Sequence, residues 1–234
     1  MGRLVLAYVR NPIESTLSMN SSADLPLLQN LPRSPLPTDE PLILASGSPR
    51  RAQLLTAAGY KFSVDPANDH VECGICSGEA APGFVAKNGF RKCEDVVGRY
   101  SNAIVIGADT VAWCNGQILG KPHDRDHAES MLRMLSGRKH DVYTGICVWS
   151  AKQQRYVVDV VRTVLEMLAL TETMLSQYLD SMLWEGKAGA FGYQDGNEWL
   201  KVIDNGSESN VVGLPMERLA EILENFDSIA DSKR

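Results

Sequence analysis

Nothing in the sequence approaches the ~18–20 apolar residues in a row that a bilayer-spanning helix needs. The N-terminus offers only Leu4–Tyr8 between Arg3 and Arg10, shorter than the ~7–15-residue apolar core of a signal peptide. The chain therefore reads as cytoplasmic, with no membrane partner. A surplus of positive charge is also missing: 23 Lys and Arg stand against 29 Asp and Glu, a net charge of −6. A nucleic-acid polymer asks for a basic face, so that class of partner is set aside. Cysteine is sparse and odd in number, at 73, 76, 93, 114 and 147. In a chain long enough to fold without covalent staples, that favours reduced thiols. No internal repeat is visible. What remains is the make-up of an ordinary globular protein, 234 residues with 44% hydrophobic and 22% charged, enough for a sizeable core.

The first forty residues carry six of the eleven prolines, counting Pro41, and no helical or strand period persists there. They read as a flexible N-terminal extension, residues 1–40; a true start at Met19 would give the same picture. Regular structure begins with Leu42-Ile43-Leu44-Ala45, a short buried strand. Ser48 and Pro49 then open a helix that Gly59 closes. A second helix is expected over 82–97, and a buried strand at Ala103–Ile106 that stops at Gly107. The clearest helix runs from Asp124 to Leu135, with Ala128, Met131, Leu132 and Leu135 on one face. Strands at 142–149 and 157–168 and helices at 171–183 and 216–223 follow. The interleaving argues for one α/β domain over 41–226, with a C-terminal tail at 227–234.

Three stretches carry chemistry. In Ser46-Gly47-Ser48-Pro49-Arg50-Arg51 two arginines occupy the first turn of a helix, where the dipole disfavours cations by roughly a few tenths of a kcal/mol. Free N–H groups, hydroxyls and guanidinium forks together suit phosphate oxygens; a solvated helix start is the plain alternative. Gly107-Ala108-Asp109-Thr110 places a carboxylate just past a strand end, where α/β folds hold ligands. Aspartate there can hold Mg²⁺ or accept a proton from water, and the glycine leaves room for close approach; a turn aspartate is the alternative. Gly120-Lys121-Pro122 fixes a lysine on a held loop. In Gly186-Lys187-Ala188-Gly189-Ala190-Phe191-Gly192-Tyr193-Gln194-Asp195-Gly196, the glycines let backbone approach a flat ligand, and Gln194 can read a base edge. A flexible surface loop has a similar composition.

The series SGSPRR, GADT, GKP, LSGR, YTG, GKAGAFGYQDG and NVVGLP, in this order over residues 42–226, resembles the Maf nucleoside triphosphate pyrophosphatases. The resemblance implies an inosine-triphosphatase-like α/β fold, a mixed twisted sheet with flanking helices forming two lobes around a central cleft. It implies metal-dependent cleavage between the α and β phosphates, with Mg²⁺ or Mn²⁺ as cofactor. It also implies Asp109 as proton acceptor, with Arg50, Thr110 and Gln194 tuning the choice of base. Ser48, Arg51, Lys92 and Lys121 fall at phosphate-handling positions, Lys121 with a catalytic part. An acidic residue after the second strand joins Asp109 in metal binding and catalysis; Glu72 is preferred and Asp69 stays open. The motifs resemble the branch acting on dTTP and UTP, though Asp195 departs from the pattern by one residue. The alternatives are a 7-methyl-GTP or other non-standard nucleotide pyrophosphatase, and a nucleotide-binding regulator of low turnover. A homodimer is implied by the resemblance only.

Attack of water at the α-phosphorus needs the triphosphate charge shielded and the departing pyrophosphate held. A divalent cation serves the first need and the basic residues the second. A rival reading places zinc at Cys73-Gly-Ile-Cys76 with His70, with Cys93 or another residue completing four ligands, although only one such cysteine pair exists. His123 and His127 stand one turn apart without a third ligand and read as surface residues.

Overall fold

A computed structural model describes residues 28–72, 74 and 79–232. The residues before Leu28, Met19 among them, and both Cys73 and Cys76 lie outside the described residues. His70, of the zinc reading, is exposed.

The apolar run read as a strand becomes β1 (Leu42–Leu44), buried on both faces. It lies parallel to β2 (Phe62–Val64) on one side and to β3 (Ile104–Cys114) on the other. Beyond β3 the sheet turns antiparallel through β5 (Lys139–Ser150), β6 (Arg155–Met167) and β7 (Leu200–Val202). β4 (Gln117–Leu119) folds back on β3, and β8 (Asp231–Ser232) adds to β6, which completes eight strands in one mixed sheet.

β3 corrects one expectation. The strand does not stop at Gly107; it runs on through Asp109 and Thr110, which pair with Gly145 and Thr144 of β5. What stops is its other neighbour. β1 leaves off at Leu44, opposite Ile106, so Asp109 lies past the end of β1 rather than past its own strand. An extended neighbour on one flank satisfies the backbone, and the lost neighbour on the other flank opens space beside the carboxylate.

Helix α1 (Pro49–Ala57) starts on Ser48 and Pro49, as the sequence suggests, although the Ser48 side chain makes no capping bond. Helix α2 (Ala81–Val97) crosses the sheet at unusually close range. A Cβ on Gly107 would collide with the Gly89 carbonyl oxygen and lie 2.7 Å from the Cys93 nitrogen, while one on Gly89 would lie 2.9 Å from the Gly145 oxygen. Three glycines thus let the helix backbone rest on β3 and β5. Helix α3 (Arg125–Leu135) is capped by Asp124, whose Oδ1 accepts from the His127 N–H at 2.7 Å.

The apolar faces divide into two main bodies. One gathers Leu42, Leu44 and Leu54 with Leu219, Leu223 and Phe226 of α6 (Met216–Ile229). The other gathers Leu132, Leu135 and Leu165 with Leu179 of α4 (Glu172–Asp180), Trp184 and Trp199. The sheet runs through both, and the cleft lies between them. Within the stretch read as an extension, Leu28, Leu31 and Leu36 pack against the first body. Glu40 is buried and accepts from Ser150 Oγ at 2.7 Å and the Lys152 N–H at 3.1 Å. No helix among the described residues is long and apolar enough to cross a membrane.

Candidate active site

The cleft holds a cavity of about 460 Å³. Every site residue named from the sequence lines it: Ser48, Arg50, Arg51, Glu72, Lys92, Asp109, Thr110, Lys121 and Gln194. Asp69, the other acidic choice, also lines it, at the start of an exposed 3-10 turn over Asp69–Val71. The cavity therefore collects residues from α1, α2, β3 and three loops that lie far apart in the chain.

At one end the chemistry is acidic and ion-paired. Lys92 is buried on α2, and its Nζ lies 2.8 Å from Asp109 Oδ1 and 2.8 Å from Glu72 Oε1. The same ammonium reaches the Ala108 carbonyl at 3.4 Å. Asp109 Oδ2 accepts from Asn88 Nδ2 at 3.0 Å, so both oxygens of this carboxylate are oriented by α2. The glycine-mediated contact of α2 with β3 makes this reach short enough. A pair of carboxylates converging on one point supplies hard oxygen donors, and a cation is already accepted between them. That donor set suits Mg²⁺ or Mn²⁺ completed by phosphate oxygens.

Arg51 is the second centre. Its side chain is buried, with Nε donating to the Gly213 carbonyl at 2.7 Å, Nη1 to Ser46 Oγ at 2.8 Å and Nη2 to Thr110 Oγ1 at 3.1 Å. Thr110 is held in turn by Thr144, 2.9 Å away, and Thr144 donates to the Asn210 carbonyl at 3.1 Å. Burial pulls the Arg51 guanidinium below its ordinary value, with Asp109 opposing that shift. Arg50 is shifted down by burial too, and its Nη2 reaches across to the Gly186 carbonyl at 3.0 Å. Lys121 is exposed at the rim, on a loop tied to the opposite wall by the Gly189 N–H on the Gly120 carbonyl at 3.0 Å. Among the described residues, no carboxylate lies within ion-pairing distance of Arg50, Arg51 or Lys121. Three uncompensated cations around one cavity make a place for a polyanion.

At the far end, the glycine-rich stretch forms two 3-10 turns, Ala188–Ala190 and Tyr193–Asp195, the second carrying Gln194. Sequence reasoning missed several participants here and elsewhere. Lys187 is buried and pairs with Asp195, Nζ to Oδ1 at 2.6 Å, and Tyr178 donates to the same carboxylate at 3.1 Å. Asn88 was also unforeseen, and the Ser46 hydroxyl, read with its stretch as a phosphate ligand, instead accepts from Arg51 Nη1. Asn88 could have been found from its place one turn before Lys92 on α2, which puts both on one helical face. The other pairings join residues without a period between them. His123 is exposed, and no group of three or more His, Cys, Asp or Glu able to hold a metal occurs among the described residues.

Fold and cleft thus define an α/β protein whose cavity sets unpaired cations beside an acid on a sheet strand. Comparison with known proteins gives the family. The Maf-like protein family matches residues 41–226. A dTTP/UTP pyrophosphatase of Rhodopirellula baltica is 66% identical over 208 residues, 89% of this chain and 91% of that protein. Those of Geotalea uraniireducens and Clostridioides difficile are 39% and 36% identical over 188 residues, each covering 80% of this chain and 96% of the relative. The chain belongs to the Maf family.

Proposed function

We propose that this protein hydrolyses dTTP and UTP to the monophosphate and pyrophosphate, working in the cytoplasm. The observation that carries the reading is the single cavity in which unpaired Arg50, Arg51 and Lys121 face the Lys92–Asp109–Glu72 cluster. The names of the relatives support the choice of substrate. Buried, unbridged Cys93, Cys114 and Cys147 accord with a reducing compartment.

Glu72 and Asp109 are the residues that would hold a divalent cation, which when bound shields the triphosphate charge. The chain's own groups do the rest. Asp109, oriented by Lys92 and Asn88, positions the attacking water and takes its proton. Arg51 and Lys121 neutralise the departing pyrophosphate, and Ser48, whose hydroxyl caps no helix N–H, is available to a phosphate oxygen. Arg50, Thr110 and Gln194, which also line the cavity, take the part of choosing the base.

The test is a nucleotide panel incubated with the purified chain and Mg²⁺, assayed for pyrophosphate against orthophosphate. Pyrophosphate release fastest with dTTP and UTP is expected. Orthophosphate as the product would reject cleavage between the α and β phosphates.

A further inference from the structure

Arg51 brings its charge to the cavity on neutral partners alone. A guanidinium has five N–H bonds. Three of them go to separate oxygens: Nε to the Gly213 carbonyl at 2.7 Å, Nη1 to Ser46 Oγ at 2.8 Å and Nη2 to Thr110 Oγ1 at 3.1 Å. None of the three oxygens is ionised, and among the described residues no carboxylate pairs with this arginine. Hydroxyls and carbonyls fix the plane of a guanidinium without cancelling its charge. Its orientation therefore depends on which way those hydroxyls turn.

One of these hydroxyls is itself steered. Thr144 is wholly buried and lies opposite Thr110 in the β3–β5 ladder. Their oxygens are 2.9 Å apart, a distance that serves either as donor. The two ends of the chain decide. The guanidinium can only donate, and the Asn210 carbonyl, 3.1 Å from Thr144 Oγ1, can only accept. Each hydroxyl has one proton to give. One order satisfies every link: Arg51 N–H to Thr110, Thr110 O–H to Thr144, Thr144 O–H to Asn210. The opposite order would send the Thr110 proton to the Gly213 carbonyl, 3.4 Å away and already engaged by Arg51 Nε. Thr110 thus turns a lone pair to Arg51, and its proton is committed to the sheet. The far end is firm as well. Asn210, in α5 (Glu208–Val212), is wholly buried, with Nδ2 on the Val142 carbonyl at 3.3 Å and on Thr163 Oγ1 at 3.0 Å.

We propose that Thr144 is a positioning residue, which through the proton order of Thr110 holds the Arg51 guanidinium in the orientation that receives the triphosphate. It touches no substrate itself. Without its hydroxyl, the Thr110 proton is left with the Gly213 carbonyl, where it competes with Arg51 Nε. The lone pair offered to Nη2 is then no longer held in place. The inference rests on the reading of Arg51 as a phosphate-holding group and adds the residue that aims it.

Calorimetric titration with inorganic tripolyphosphate, without added metal, reads the effect. Thr144→Val keeps the shape of the side chain and removes the hydroxyl. The Asn210 carbonyl is not stranded by it, since it still accepts from the Gly213 N–H at 3.1 Å. Losing one neutral hydrogen bond from the relay should weaken tripolyphosphate binding about threefold to tenfold. Thr144→Ser should restore it. Should the valine variant fail to fold, Thr144→Ala against Thr144→Ser makes the same comparison, because those two differ by the oxygen alone. Thr163→Val is the control. It takes a buried hydroxyl from the same asparagine, 3.0 Å from Asn210 Nδ2, but leaves the relay whole, and should bind as before. In an Arg51→Met background, Thr144→Val should add no further loss, because it acts through that arginine. Hydroxyl-free variants that bind as tightly as wild type would overturn the proposal. So would an equal loss in Thr163→Val, or an undiminished loss in the Arg51→Met background, since either marks general loosening of the fold. A wild-type protein that binds no tripolyphosphate would sink the phosphate reading of the cavity and the proposal together, whereas the other results sink the proposal alone.

Discussion

Replacing Gly107 by alanine should damage both stability and turnover, although the residue touches no substrate. The added methyl would collide with the Gly89 carbonyl oxygen and sit 2.7 Å from the Cys93 nitrogen and 2.9 Å from its Cβ. Ordinary separation is ~3.5 Å or more, so α2 must retreat from β3 by about 1 Å. Overpacking of this kind costs about 1–3 kcal/mol. The retreat also draws Asn88 and Lys92 off Asp109, now 3.0 and 2.8 Å away. A displacement of about 1 Å in a positioning group can cost ~10²-fold in rate. Urea unfolding followed by circular dichroism gives the first number, and pyrophosphate release with Mg²⁺ gives the second. Gly83 provides the contrast, because it lies on the same helix with no atom within 4 Å of its would-be Cβ. Gly83→Ala should stabilise by up to about 1 kcal/mol through helix propensity alone. If Gly107→Ala kept the wild-type midpoint and turnover, the claim that backbone contact between α2 and β3 sets the site would be refuted.

Asp109→Asn should lower kcat roughly 10³-fold or more with the fold intact, and near-normal turnover would remove it from its assigned role. Arg51→Met strips donors from the Gly213 carbonyl, Ser46 and Thr110; calorimetry should find tripolyphosphate binding weakened at least about tenfold, together with a lowered unfolding midpoint. His140 is buried in β5 with its ring edge-on to Phe191, centroids 5.3 Å apart, and burial brings its pKa from 6.5 down to about 4. The unfolded chain then binds a proton below pH 6.5 that the folded chain refuses until about pH 4. Stability is complete above pH 6.5 and falls through that window by about 3 kcal/mol at ~1.4 kcal/mol per pH unit. His140→Leu should flatten the acid limb of a urea-midpoint profile, and an unaltered limb would count against this histidine as the cause.

The long periodic elements were legible in the sequence for a simple reason. Ala128, Met131, Leu132 and Leu135 repeat on one helical face, and the structure buries all four in α3. Asp124 stands where a capping carboxylate belongs, and it caps. Gly107 misled because glycine punctuates a strand only when no neighbour continues its ladder; β5 does continue it, through ten paired residues. Helix α5 (Glu208–Val212) left no sequence signal, since five residues are too few to display a period. Its start rests on Ser207, whose hydroxyl accepts from the Asn210 N–H at 3.0 Å. α6 runs six residues past the expected end at Leu223, burying Phe226 in the extra length.

The site divides along the same line. Residues tied to motifs (Asp109, Thr110, the arginines and Gln194) were readable, and the structure gathers them in one cavity. Their partners were not. Lys187 with Asp195, Tyr178 beside both, and Ser46 under Arg51 become neighbours only after the chain has folded. Hydrogen bonds between side chains leave no period behind, so pattern reading passes over them.

The strand beneath the acid has one more consequence. Asp109 rides on a ladder cross-linked to β5 along ten residues, while the glycine-rich turns around Gln194 rest on side-chain bonds and short backbone links. The floor of the crevice is therefore stationary, and whatever adjusts to an incoming nucleotide must be its walls. On the proposed function, hydrolysis and recognition are lodged in separate mechanical parts. If the turns select the base as proposed, exchanging their residues should redirect the choice of nucleobase while the anvil beneath Asp109 stays where it was.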